Sequence, residues 1–398
     1  MGSYSPISHP GPTSDAARRA VAVVFVLNGF AFASWVARLP ELRDRLGLSP
    51  GQLGLLLLCL SAGTLLALPS SGLVISRFGV ARTVQGGALF SGAGLLLMAS
   101  GLAVAEVPVV AVALFAYGLG TSAWDVAMNV EAADVERRLN RSIMPKFHAG
   151  FSIGTVLGAL AGTACAHLGF PLAGQLVGTV AVVVVLAFVA VRRFLPVVHS
   201  SSSQSGSPWR GWREPRTLAI GLVVLAFALC EGVANDWLAL ALVDGYGAAD
   251  AVGSAGFAVF VTSMTVGRFV GGAVTDRFGR VLALRGTAIL VMAGVAAVVL
   301  APGLAGAFLG AVLWGLGASL GFPTGMTAAG EDERHVAVRL SVVSSIGYAA
   351  FLGGPPVVGA IANDVGVRDA IWVAAAAALV GLVAARAVAP QLLTARGR

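Results

Sequence analysis

The chain has 398 residues, of which 11% are charged and 57% apolar, with a mean hydropathy of +0.87. Ordinary soluble domains carry roughly 25% charged residues to cover their surface, so this composition argues against a soluble enzyme and against a disordered chain. A net charge of +7 would suggest nucleic acid as partner in a soluble protein; on a chain of long apolar blocks it marks basic loops at a membrane surface instead.

The blocks are unbroken, unlike the alternating strands of an outer-membrane barrel. Stretches of about 20 apolar residues suffice to cross a hydrocarbon core about 30 Å thick. Twelve such stretches occur: 19–38, 52–74, 84–104, 108–130, 148–168, 172–191, 217–240, 251–274, 286–301, 304–327, 340–361 and 370–388. The expectation is an all-α polytopic membrane protein built from two six-helix bundles. A disordered tail (1–18) precedes the first bundle (19–192), a linker (193–216) joins it to the second (217–388), and a short tail (389–398) follows.

In chain order, span 1 follows Arg18 and Arg19 and contains Ala31-Phe32-Ala33, which resembles a signal-peptide cleavage site. With eleven more spans behind it, an uncleaved helix is expected. Span 1 also carries Asn28 and, near its outer end, Arg38. Span 4 carries Tyr117, Asp125 and Asn129, with Asp125 about five residues from its inner end. His148 opens span 5 beside Lys146, the only lysine; Gly154, Gly158 and Gly162 then form a GxxxGxxxG face suited to close helix packing. The run 199–208, rich in serine, reads as flexible linker.

Span 7 carries Glu231 near its middle, Asn235 on the same face, and Asp236 near its outer end. Arg268 lies within span 8, Trp314 in span 10 and Tyr348 in span 11. Gly353-Gly354-Pro355-Pro356 is expected to bend or break span 11, because proline removes a helix hydrogen bond. Cys59, Cys165 and Cys230 lie in apolar blocks without a CxxC pair, so neither a disulfide nor a metal site is expected. The sequence holds no Walker A string, so ATP is not expected to drive the protein and no cofactor is implied.

Arginine placement sets the expected orientation. With the N-terminus inside, twenty-one basic residues fall on the cytoplasmic side and four (Arg38, Arg43, Arg45, Arg368) on the other. This is a strong positive-inside bias, and it places both termini in the cytoplasm. The near-exclusive use of arginine over lysine suggests a GC-rich bacterial source, hence a bacterial inner membrane.

The halves repeat. Gly72-Leu73-Val74-Ile75-Ser76-Arg77-Phe78-Gly79 follows span 2, and Gly272-Ala273-Val274-Thr275-Asp276-Arg277-Phe278-Gly279 follows span 8. Gly118-Leu119-Gly120 in span 4 is echoed by Gly315-Leu316-Gly317 in span 10. Repeated six-helix halves are the mark of a transporter with its site between them.

These residues resemble the major facilitator superfamily, whose loop after span 2 typically reads G-x-x-x-D-R-x-G-R. The second copy matches through Asp276, Arg277, Gly279 and Arg280; in the first, Ser76 replaces the acid and Val80 the second basic residue. Within the superfamily the chain is similar to the YbjJ-like and MosC-like branch, related to fucose permeases. The residues that carry this are Trp35-x-x-Arg38-Leu39-Pro40, Trp124-Asp125-x-x-Met128-Asn129, Arg141-Ser142-Ile143-Met144-Pro145-x-x-His148-x-x-Phe151-Ser152-x-Gly154, Glu231-Gly232-x-x-x-Asp236-Trp237 and Gly353-Gly354-Pro355-Pro356. The resemblance implies a proton-coupled role at Asp125, gating roles at Asp276 and Arg277, and a sugar-type or cyclitol-like solute. The fucose-permease relatives also carry an acid in span 1, where this chain has Asn28 and Arg38.

An ionisable side chain inside a span is costly unless paired or wetted, which makes each one a functional candidate. Asp125 and Glu231 are the candidates for proton coupling, against the alternative that each only bonds helix backbone. Asn28, Tyr117, Asn129, Asn235, Trp314 and Tyr348 are candidates to line the solute cavity; for the tyrosines and the tryptophan, packing is the alternative. Matched depth and opposite charge suggest two latches, Arg38–Asp236 at the outer gate and Asp125–Arg268 at the inner one. His148 is a further gating candidate.

The expected protein is a monomeric secondary transporter of a small polar solute by alternating access, with protons and the lipid bilayer as partners and no nucleic acid. A drug or metabolite efflux antiporter is the alternative, and a non-transporting membrane sensor a second. No nucleophile–base set or metal-ligand cluster suggests an enzyme.

Overall fold

The computed structural model describes residues 14–139, 143–195, 211–331 and 336–390. The described residues contain helices and no strand, and twelve helices are long and apolar enough to cross a membrane. Span 1 is Ser14–Val36, span 2 Pro50–Phe78, span 3 Val80–Val104, span 4 Val107–Leu139, span 5 Met144–His167 and span 6 Leu172–Val191. Span 7 is Pro215–Tyr246, span 8 Asp250–Phe278, span 9 Arg280–Leu300, span 11 Val336–Val365 and span 12 Val367–Val388. Span 10 is two helices, Leu304–Ala318 and Gly321–Ala329, separated at Ser319 and Leu320.

Large side chains such as Leu55, Leu66, Leu96, Val185, Leu309 and Val383 are exposed on the outside of the bundle, as lipid contact requires. The last five residues of the segment expected to be a disordered tail, 14–18, are already helix; Asp15 sits in the first turn of span 1, favourable for the helix dipole, and pairs with Arg18 at 3.4 Å. Residues 1–13, most of the expected linker (196–210) and most of the C-terminal tail (391–398) lie outside the described residues. The linker's first residues are packed rather than loose: Phe194 and Leu195 are buried, and the Leu195 N–H donates to Glu131 at 2.6 Å.

The two halves have the same internal packing. Span 1 lies on span 5 as span 7 lies on span 11, span 2 on span 4 as span 8 on span 10, and span 3 on span 6 as span 9 on span 12. The echoed glycines make equivalent contacts. A Cβ at Gly118 would strike the Leu60 carbonyl of span 2, and one at Gly315 the Phe260 carbonyl of span 8. Gly120 and Gly317 are likewise pressed against the Ser91 and Val291 backbones. Gly79 and Gly279, which end spans 2 and 8, have φ of 84° and 78°, a region that strains a residue bearing a Cβ.

The GxxxGxxxG face performs as expected. Gly154, Gly158 and Gly162 lie against the span 1 backbone at Val26, Phe30 and Ser34, where any Cβ would collide with or crowd a carbonyl. Span 11 does not break at its prolines and remains one helix through Pro355 and Pro356. The carbonyl that Pro355 leaves without a helix donor, Phe351 O, accepts a hydrogen bond from Ser61 Oγ of span 2 at 2.7 Å, so a partner from the other half replaces the missing one.

Two seams join the halves: span 2 against span 11, and span 5 against span 8. The terminal face is the one where span 1 begins and spans 6 and 12 end. The far face carries the short helix Leu39–Leu46, which follows span 1. That helix starts with Pro40 in its first turn and ends at Gly47, with φ of 63°. Span 2 then opens on a capping box, Ser49 Oγ accepting from the Gln52 N–H and Gln52 Oε1 from the Ser49 N–H.

Candidate transport site

The halves are closed over one another at the far face. Arg43 Nη2 donates to Asp244 Oδ1 at 2.8 Å, and Nη1 bonds the other carboxylate oxygen. Burial works against the Arg43 charge, but its hydrogen bonds to Asp244 and Asp44 outweigh this and hold its pKa above the ordinary arginine value. Nearby, the Gly51 N–H donates to Asn363 Oδ1 at 3.0 Å, and Ser254 Oγ donates to the Ala37 carbonyl at 2.6 Å. The Ser61–Phe351 bond lies deeper along the same seam.

Nearer the middle, Arg268 forms the centre of the site. Its Nη2 meets both oxygens of Glu231 at 3.1 and 3.2 Å, and its Nη1 donates to Ser152 Oγ of the first half at 3.2 Å. Ser152 is about 12 Å from the terminal-face end of span 5, and Arg268 about 15 Å from that end of span 8. Among the described residues, no hydrogen bond or ion pair joins the halves closer to the terminal face than this one.

Other polar side chains gather at the same level. Thr121 Oγ1 donates to Asn28 Oδ1 at 3.3 Å, and the buried Asn28 Nδ2 has no partner among the described residues. Asn129 Nδ2 donates to the Asp125 carbonyl at 2.9 Å and reaches Asp125 Oδ1 at 3.4 Å. Across the halves, Asp125 lies within electrostatic range of the Tyr348 hydroxyl, and Arg268 within range of the His148 ring. Tyr348 is half-buried against Phe351, and His148 is exposed with its ring edge-on to Phe25.

Neither expected latch forms. Arg38 is buried and bonded to Glu41, three residues on, and donates to Gln175 Oε1 at 2.9 Å; no hydrogen bond or ion pair joins it to Asp236. Span 7 runs to Tyr246, beyond its hydropathic limit, so Asp236 lies about 15 Å from the far-face end rather than near it. Span 4 likewise runs to Leu139, which puts Asp125 about 21 Å from the terminal-face end. Arg268 takes Glu231 and Ser152 in place of Asp125.

Tyr117 and Trp314 line no open cavity. Both are fully buried, Tyr117 edge-on to Trp35 and Trp314 edge-on to Phe260 with its Nε1 donating to the Cys230 carbonyl. Asn235 and Asp236 border a separate small cavity of about 70 Å³ between the halves. At the terminal face Asp276 and Arg277 are exposed, and the motif's engaged cation is Arg280, bonded to Glu331. Glu331 also accepts from Arg216 at 2.8 Å.

The sequence reading missed Arg43, Asp244, Ser61 and Ser152. Arg43-Asp44 and Val243-Asp244 occupy corresponding places in the two halves, a signal the repeat made available.

Known proteins agree with this architecture. Residues 21–332 match the family model of the Major Facilitator Superfamily. An uncharacterized MFS-type transporter of Yersinia pestis is 31% identical over 385 residues, covering 95% of this chain and 97% of that one. Membrane protein MosC of Rhizobium meliloti is 29% identical over 370 residues, covering 91% and 88%. Among solved structures, the nucleoside transporter NupG superposes with a TM-score of 0.76 at 14% identity, covering 94% of this chain and 98% of that one. The E. coli fucose:proton symporter FucP gives a TM-score of 0.63 at 14% identity, with the same coverage. The chain therefore belongs to the Major Facilitator Superfamily, and is a multi-pass membrane transporter of small solutes rather than an enzyme.

Proposed function

We propose that the protein imports a small polar solute, of the sugar or cyclitol class, across the bacterial cytoplasmic membrane by alternating access coupled to protons. The observation that carries this is the gradation of contacts between the halves. They are dense at the far face and, among the described residues, reach no nearer the terminal face than Ser152–Arg268, which supports access to the polar groups of the middle from the terminal face. The bias of basic residues in the sequence towards the segments that join spans on that side supports placing it in the cytoplasm, which would make this conformer inward-facing.

Glu231 supplies the coupling logic. Ionised, it holds Arg268, which in turn reaches across to Ser152. A proton on Glu231 removes the charge that holds the guanidinium and so links protonation to a contact between the halves. Asp125, within electrostatic range of Tyr348 of the other half, is the second candidate carboxyl. Asn28, Thr121, Asn129 and Ser152 offer the hydrogen bonds that a hydroxyl-rich solute needs. A relative in fold is a fucose:proton symporter and another a nucleoside transporter, which supports a sugar-bearing or sugar-like solute.

The test is uptake by proteoliposomes under an imposed pH gradient, acidic outside, against monosaccharides, cyclitols and nucleosides. Accumulation abolished by a protonophore, and lost in Glu231→Gln, is the expected result. Accumulation that ignores the gradient removes the proton, and extrusion of amphipathic drugs with no uptake from the panel removes the import reading.

A further inference from the structure

We propose that an anionic phospholipid of the terminal-face leaflet seats on the outer seam between spans 3 and 6, with its phosphate between Arg82 and Arg192. A second seats on the repeat-related seam between spans 9 and 12, between Arg285 and Arg386. Spans 3 and 6 run antiparallel and touch at Gly92, where a Cβ would lie 3.1 Å from Val180 and 3.2 Å from Val184. Arg82 is about 15 Å from that contact towards the terminal face, and Arg192 about 12–18 Å. Both therefore stand where the two spans end, which is headgroup depth.

Each helix carries an exposed stripe below its arginine: Arg82, Gly86 and Leu89 on span 3, and Arg192, Val189 and Val185 on span 6. These positions lie roughly 60–140° round the helix axis from Gly92 and Val184, in the same sense along each chain. Because the helices are antiparallel, the same sense brings both stripes to one side of the seam. The result is an apolar wall open to lipid with a cation at the top of each edge. No atom lies within 4 Å of the Cβ position of Gly86, which leaves a hollow one turn below Arg82 for an acyl chain.

Neither arginine side chain has a hydrogen-bond or ion-pair partner among the described residues. Elsewhere on this face arginines are spent on protein: Arg216 and Arg280 on Glu331, and Arg339 on Glu214. Glu131, the carboxylate beside the end of span 6, is buried and accepts the Leu195 N–H. Two unopposed guanidinium forks at headgroup depth attract an anionic headgroup, and each can take a phosphate through two hydrogen bonds. The second seam keeps the charges by other means. Leu282 stands where the first half has Arg82, Arg285 where it has Gln85, and Arg386 lies in the last turn of span 12, which packs on span 9. Arg285 and Arg386 are likewise unpartnered among the described residues, and the Cβ position of Gly286 is again open. The inference rests on neither the solute nor the proton.

The test is native mass spectrometry of the full chain released from detergent, titrated with phosphatidylglycerol and with phosphatidylcholine of the same acyl chains. The parent is expected to retain two phosphatidylglycerols at concentrations about tenfold below those at which phosphatidylcholine binds. Arg82→Gln/Arg192→Gln is expected to retain one, and the further pair Arg285→Gln/Arg386→Gln to remove the preference. Lys146→Gln/Arg213→Gln takes the same charge from exposed groups of this face away from both seams, and is expected to keep two. Should Arg82→Gln/Arg192→Gln fail to fold, Gly86→Phe fills the hollow without changing the charge and is expected to cost the same lipid. Equal binding of the two lipids overturns the proposal, as does a loss in the off-seam variant as large as in the seam variant. Displacement of phosphatidylglycerol by inorganic phosphate at the same concentration also overturns it, since the wall then contributes nothing and the seat is for a free anion.

Discussion

Arg43 and Asp244, from opposite halves of the chain, meet at the far face with two guanidinium nitrogens on two carboxylate oxygens. The pair is partly exposed, and such pairs contribute about 0.2–1 kcal/mol. That is still enough to shift a two-state gate up to roughly fivefold. Asp244→Asn is expected to speed labelling of Leu57→Cys by a membrane-impermeant thiol reagent from the far side by about two- to fivefold. An unchanged labelling rate would show that the pair does not hold the gate.

The Glu231–Arg268 pair is more enclosed, with side-chain exposures of 19% and 26%. Breaking a buried pair by removing one partner costs about 3–5 kcal/mol, and the partial exposure here brings the expected loss to about 2–3 kcal/mol. Glu231→Gln should therefore lower the midpoint of thermal unfolding in detergent. The double variant Glu231→Gln/Arg268→Gln should recover most of it, because no charge is left stranded. Additive losses in the double-mutant cycle would mean that the two residues do not depend on each other.

Ser61 and Pro355 form a compensating pair. Ser61→Ala leaves the Phe351 carbonyl without a donor, at about 1–3 kcal/mol. Pro355→Ala in that background restores a helix N–H and should return part of the loss. Thermal unfolding of the two single variants and the double variant reads this out. Failure of Pro355→Ala to rescue would show that the proline matters for reasons other than the freed carbonyl.

The motif glycines should separate by conformation. Gly279 has φ of 78°, so Gly279→Ala is expected to cost about 1–2 kcal/mol although nothing lies within 4 Å of its Cβ position. Gly272 has equal space within a regular helix, so Gly272→Ala should be neutral or gain up to about 1 kcal/mol. Equal effects at both positions would contradict the backbone explanation.

The spans were legible because a bilayer imposes length and hydropathy on each of them separately. The repeat was legible because equivalent glycines meet equivalent carbonyls. The ion pairs were not, since Glu231 and Arg268 sit on different helices and only their rotation about the helix axes decides that they meet. Arg38 is a different case. Its partner Glu41 stands at i+3, a spacing visible in the sequence, but the expected end of span 1 placed Arg38 at the interface, where a partner across the gate looked better. Asp236 was placed too shallow because hydropathy fades near residue 240 while the helix continues to Tyr246. The unbroken course of span 11 was hidden because its substitute donor, Ser61, is 290 positions away in sequence.

Glu41 has two tasks at once: one oxygen takes Arg38 and the other accepts the Leu172 N–H that opens span 6 at 3.0 Å. Gln175 accepts from Arg38 and donates to the Ser34 carbonyl at 2.6 Å. Together these bonds brace spans 1 and 6 as a truss braces two posts. Opening of that face is therefore expected to carry spans 1 and 6 together, with their far ends kept in register.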